Sequence, residues 1–78
     1  MAKLPVDAPI GDVLRALTRL GFVIVRKGNH VSPVRKNADG TRTMLTLPNH
    51  RTLRSSTLRT ILSQAGIPRD GFLEAYRG

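Results

Sequence analysis

Two histidines occur in the chain, each in a setting that could serve phosphodiester chemistry. His30 follows Gly28-Asn29 where an extended segment begins, and His50 follows Pro48-Asn49 where another ends. An imidazole accepts or donates a proton near neutral pH. Cleavage of an RNA phosphodiester needs a base for the 2′-hydroxyl, an acid for the departing 5′-oxygen, and cations to hold the phosphate. Arg26, Lys27, Arg35, Arg51, Arg54 and Arg59 lie in the same stretch, and Asn29 offers an amide donor and acceptor beside His30. The plainer reading makes His30 a surface strand residue and the arginines a solvated helix entry. A metal is weakly supported. Asp39 falls at the far end of the hairpin, and Asp7 and Asp12 belong to another element, so a third ligand is lacking and no metal or other cofactor is expected.

The wider charge pattern points the same way. The chain carries 13 Lys or Arg against 5 Asp or Glu, a net charge of +8. Between residues 26 and 59, Lys36 and Arg42 join the cations already named, and Asp39 is the one acid, so nearly all the net charge sits there. Such density attracts polyanions, either nucleic acid or an acidic protein. With Phe 2, Tyr 1 and Trp 0, an aromatic platform for stacking bases is not expected.

Elements able to position these residues can be read from periodicity. Ile10, Val13, Leu14, Leu17 and Leu20 recur at helical spacing and predict a helix near 9–20, capped by Asp7 and ended by Gly21. Phe22 to Arg26 reads as a strand. Lys27-Gly28-Asn29 then turns the chain into a second strand, His30 to Arg35, second in a 1-2-3 strand order, whose Pro33 lacks a donor and suggests an edge at least on its proline side. Asn37-Ala38-Asp39-Gly40 is a turn signal before a third strand, Thr41 to Leu47, with Thr43, Leu45 and Leu47 toward the core. That turn pairs residue 30 with about residue 49, which brings His30 and His50 within reach of each other. Leu58, Ile61, Leu62 and Ala65 mark a helix over 57–65 with Ser55 or Ser56 as its cap. A last helical piece after Pro68 carries Phe72, Leu73 and Tyr76 to the core.

The order predicts an α+β fold, α-β-β-β-α, with one three-stranded antiparallel sheet, helices on one face and a short C-terminal helix. A single domain over 1–78 is expected, with a radius of gyration of about 12 Å. That length excludes a doubly wound nucleotide-binding fold or a barrel enzyme. Cysteine is absent, so disulfides and thiol chemistry are excluded. No apolar run approaches the ~20 residues that span a bilayer, and no signal-like segment stands out. A soluble cytoplasmic protein without membrane attachment is expected.

Across nearly its whole length the chain resembles HicA-type toxins, the small mRNA-interferase components of bacterial and archaeal toxin–antitoxin pairs. The matching features are Lys3-Leu4-Pro5, the junction from Leu17 to Gly21-Phe22, Arg26-Lys27-Gly28-Asn29-His30, Asp39-Gly40, and Leu47-Pro48-Asn49-His50-Arg51. Thr57-Leu58-Arg59-Thr60-Ile61-Leu62 is the most specific segment, followed by Gln64-Ala65-Gly66-Ile67 and Phe72-Leu73. The resemblance implies a double-stranded-RNA-binding-like fold and a metal-independent endoribonuclease that blocks translation by cutting mRNA. It matches His30 to the family's catalytic histidine and His50 to the histidine after the third strand. It also implies a HicB-type antitoxin that covers the active face, with the toxin a monomer when free and part of a hetero-oligomer when bound. Asn29 stands where the family usually has serine, and Ser56 where glycine often precedes the threonine–leucine pair. Two other functions fit the same charge: a non-catalytic RNA-binding module, or an interaction domain that receives an acidic partner.

Overall fold

Residues 3–78 are described by a computed structural model. β1 (Asp7–Pro9) leads into α1 (Ile10–Arg19). β2 (Val23–Lys27), β3 (His30–Lys36), β4 (Arg42–Met44) and β5 (Leu47–Pro48) follow. β6 (Thr52–Arg54) then opens into α2 (Ser55–Ala65), and α3 (Arg69–Arg77) closes the chain. The fold is α+β with antiparallel sheets, consistent with a double-stranded-RNA-binding-like arrangement. β3 pairs with β2 on one side and with both β4 and β5 on the other, while β1 and β6 form a separate two-stranded sheet.

The apolar periodicities become one core. Val13, Leu14, Ala16 and Leu17 of α1 are buried, as are Leu58, Ile61, Leu62 and Ala65 of α2. Phe72 and Leu73 of α3 join them, as do Phe22, Val31, Leu45 and Leu47 from the sheet. Strand side chains alternate between faces, so the next residues along point the other way. That opposite face is open: Val23 is 67% exposed and Met44 66%. Both α1 and α2 end alike. Phe22 N–H donates to Leu17 O at 3.0 Å beside Gly21 N–H to Thr18 O, and Ile67 N–H donates to Leu62 O at 2.9 Å beside Gly66 N–H to Ser63 O. Each pair closes the helix and folds an apolar residue back onto its last turn.

Pro33 corrects one expectation and explains another difference. Its strand is central, as the 1-2-3 order has it, but its proline side is no edge: β4 and β5 pair there. Leu45 N–H still donates to Pro33 O at 2.9 Å, but proline has no N–H to return. The ladder lapses there, which is why the expected strand over 41–47 appears as β4 and β5. Both halves keep one register, Val34↔Met44 before the gap and Val31↔Leu47 after it.

The register itself differs by one residue from the turn-based expectation. Lys36 pairs with Arg42 and His30 with Pro48. Thr41 is drawn into the turn, its N–H and hydroxyl donating to Asp39 Oδ1 at 2.9 and 2.6 Å. Those bonds, the hydroxyl's first, hold the exposed Asp39 carboxyl below its ordinary 3.8, so their stabilisation is present above that range and is lost as pH falls through the lowered value. The register also puts buried Val31 against buried Leu47, which a one-residue slip would undo.

Two caps also differ. Asp7 does not cap α1: it lies in β1 opposite Arg54, and Pro9 precedes the helix without a side-chain cap. Helix α2 starts at Ser55, so neither Ser55 nor Ser56 is its cap; that position is Arg54. Pairing of β1 with β6 draws both helix starts into extended backbone.

Phe72 is fully buried, with the Tyr76 ring centroid 5.7 Å away. Phe72→Ala should cost ~3–5 kcal/mol, comparable with the whole stability of a small domain. Urea unfolding followed by circular dichroism checks this.

Candidate functional site

The β2–β3 hairpin places His30. Lys27 and His30 are partners flanking the two-residue turn Gly28-Asn29. Gly28 has φ +56° and no non-glycine residue among the described residues has positive φ, so glycine supplies the unusual conformation at the first turn position. His30 thus lies between Lys27 on β2 and Pro48 on β5. Directly opposed residues share a face, and here it is the open face, opposite the buried Val31–Leu47 row.

His50 is placed by bonds at both ends of its loop. Asn49 N–H donates to Asn29 O at 3.2 Å, extending the β3–β5 alignment past Pro48. On the other side, Ile10 N–H at the start of α1 donates to Arg51 O at 2.9 Å. Then β6 pairs with β1. The loop between β5 and β6 is therefore clamped between the sheet and the first helix.

Together these constraints bring both histidines to one hollow. Asn29, His30, Pro48, Asn49 and His50 line about 450 Å³ of open concave space. A second hollow of about 640 Å³ adjoins it, lined by Asp7, Pro48, His50, Arg51, Thr52, Leu53, Arg54 and Thr57. Pro48 and His50 belong to both. Imidazoles thus stand beside guanidinium groups that can hold a phosphate. Among the described residues the one ion pair is Arg15–Asp12 at 2.6 Å, so Arg51 and Arg54 have no carboxylate within 4.0 Å despite Asp7 in the same wall.

Not every expected residue is gathered there. Arg26 is exposed but paired with Val31, on the helix-covered side of the sheet from His30. Arg35 lies at the other end of β3. Its guanidinium is 4.7 Å from the Phe22 ring centroid, with Nε donating to Asn37 Oδ1 at 3.4 Å and Nη1 to Leu20 O at 3.5 Å. This is cation–π packing at the end of α1 rather than a place beside the histidines. Arg59 lines a different hollow, with Lys3 and Arg69. Sequence reasoning missed Pro48, Asn49, Asp7 and Thr57 as wall residues; β1 and β6 are three residues each, too short to show a period.

Among the described residues, no three His, Asp or Glu side chains group as metal ligands would, and no helix is long and apolar enough to cross a membrane. Residues 10–67 match the family described as "HicA toxin of bacterial toxin-antitoxin". The chain belongs to this family. It is accordingly a toxin of a toxin–antitoxin system, with an antitoxin as its partner. The HicA match spans both histidines and the cationic stretch between Arg26 and Arg59. A search of curated proteins gives no match.

Arg51 and Arg54 are exposed and unpaired, so folding does not depend on them. The double variant Arg51→Glu/Arg54→Glu should change unfolding free energy by less than about 0.5 kcal/mol. Urea denaturation checks this.

Proposed function

We propose that this HicA-family toxin is a metal-independent endoribonuclease that cuts mRNA and so blocks translation in the cytoplasm. The supporting observation is the meeting of His30 and His50, from separate elements, in one hollow beside Arg51 and Arg54. One imidazole, neutral, takes the proton of a 2′-hydroxyl. The freed oxygen attacks the adjacent phosphorus and closes a 2′,3′-cyclic phosphate. The phosphorus–5′-oxygen bond breaks, and the other imidazole, protonated, gives its proton to the leaving oxygen. Arg51 and Arg54 hold the phosphate and offset the charge that builds on it, with Lys27 beside His30. The Asn29 amide can donate to a phosphate oxygen where the family usually offers a hydroxyl.

In this reading the partner is a HicB-type antitoxin, which inhibits by covering the histidine hollow. The face it meets is cationic, so an acidic surface suits it and steers association. The free toxin acts as a monomer, since both histidines come from one chain.

His30 is exposed and outside the core. His30→Ala should keep the wild-type circular-dichroism spectrum and lose about 10²- to 10⁴-fold in RNA cleavage rate. Near-wild-type cleavage would remove His30 from the mechanism, and salt-sensitive binding without cleavage by the wild type would make the chain a non-catalytic RNA binder. Cleavage should persist in EDTA and leave a cyclic phosphate on the 5′ fragment, and a 2′-deoxy substitution at the scissile site should stop it. Obligatory metal dependence would refute this route. Antitoxin should also displace labelled, non-cleavable RNA from the His30→Ala protein; a ternary complex with undiminished RNA affinity would defeat the shared face.

A further inference from the structure

Arg59 belongs to the expected RNA-binding residues but does not line the histidine hollow, and its surroundings are informative. Lys3 precedes β1, Arg59 lies one turn into α2, and Arg69 is the first residue of α3. These three separate elements direct their cations to one hollow of about 350 Å³, completed by Leu4, Val6 and Ser55. No carboxylate lines it, and none of the three cations is ion-paired among the described residues. Converging like charges repel one another unless an anion is shared between them. Val6 is 76% exposed at the rim, so the hollow pairs cations with an apolar surface.

The position of this hollow argues for what fills it. The histidine hollow shares Pro48 and His50 with the Arg51–Arg54 hollow. That one is completed by Arg54 and Thr57, and the new hollow takes Ser55 and Arg59 from the other side of the same helix, so the start of α2 stands between the two. Cations therefore flank the start of α2 on both sides, Arg51 and Arg54 on one and Arg59, Arg69 and Lys3 on the other. A strand with regularly spaced phosphates and flat bases can cross that junction, meet cations on both sides of it and lay a base on the apolar rim.

We infer that the hollow formed by Lys3, Arg59 and Arg69 is a second phosphate-binding site, which holds the same RNA strand several nucleotides away from the scissile bond. This rests on the reading of the histidine hollow as an RNA site. It gives the toxin a preference for long single-stranded substrate, and Lys3 and Arg69 a role that neither charge clustering nor the histidine motifs indicate.

The test uses 2′-O-methyl RNA, which cannot be cut, at lengths of about 4 and about 16 nucleotides, the span over which small single-strand binders operate. Affinity is measured against salt for the wild type, for Lys3→Ala/Arg69→Ala, and for Lys3→Arg/Arg69→Lys. Loss of two phosphate contacts should make the slope of log affinity against log salt shallower by about 1.4 for the long RNA. The short RNA should bind the Ala variant as it binds the wild type, and the charge-keeping variant should retain the wild-type slope. Circular dichroism should show both variants folded, since Lys3 and Arg69 are exposed. An unchanged slope for long RNA in the Ala variant would overturn the inference while leaving the histidine reading intact. Reduced binding of a polyglutamate peptide with unchanged RNA binding would also overturn it, and would make this surface a protein interface. No RNA binding by the wild type would overturn both readings. Long-RNA binding with the shallower slope, alongside a wild type that does not cleave, would uphold the second site and refute only the catalysis.

Discussion

The histidine hollow depends on β3 and β5 pairing again beyond Pro33. A proline in the middle of a central strand removes one bond from the ladder, and without further constraint the strands could part or slip there. They do neither. Val31 and Leu47 are buried as partners, and a slip of one residue would send both to the open face. That apolar pair fixes His30 opposite Pro48 and sets Asn49 to bond with Asn29. His50 follows at once. The histidine hollow is thus held in place by packing on the covered face of the sheet.

A second constraint acts from the other side. The β5–β6 loop is bonded to the start of α1, and the short β1–β6 sheet ties the entries of both long helices together. The hollows that carry exposed cations are therefore framed by backbone hydrogen bonds, not by the ion pairs that would neutralise those cations. Their mutual repulsion weakens the free fold slightly and is screened by salt, and a polyanion relieves it. Under the proposed function an acidic antitoxin and RNA would both meet this requirement, and competition between them would be a natural form of control.

The sequence was most legible where burial imposes a period. The stripe from Ile10 through Leu17 and the set Leu58, Ile61, Leu62 and Ala65 marked both long helices and their buried faces. Turn residues marked the two hairpins, and their sequence order implied a single antiparallel sheet. Thr41 shifted the register because its hydroxyl and amide bind Asp39, an effect of side-chain bonding that turn signals do not encode. Asp7 and the serines near 55 looked like caps, but β1–β6 pairing supplied the helix entries instead. Arg35 and Arg59 show the limit of charge counting: both lie in the basic stretch, yet one stacks on Phe22 and the other turns toward Lys3 and Arg69. The meeting of His30 with His50 was within reach of hairpin arithmetic, while the convergence of Arg59 with Lys3 and Arg69 was not.

The central claim is that the two histidines act in one chemical step. Single-turnover cleavage of one defined RNA by the wild type, His30→Ala, His50→Ala and the double variant tests it most directly. Groups that act as a unit are strongly non-additive. The double variant should therefore be little slower than the slower single variant. Rate losses that multiply, or a His50→Ala variant as fast as the wild type, would contradict a shared step.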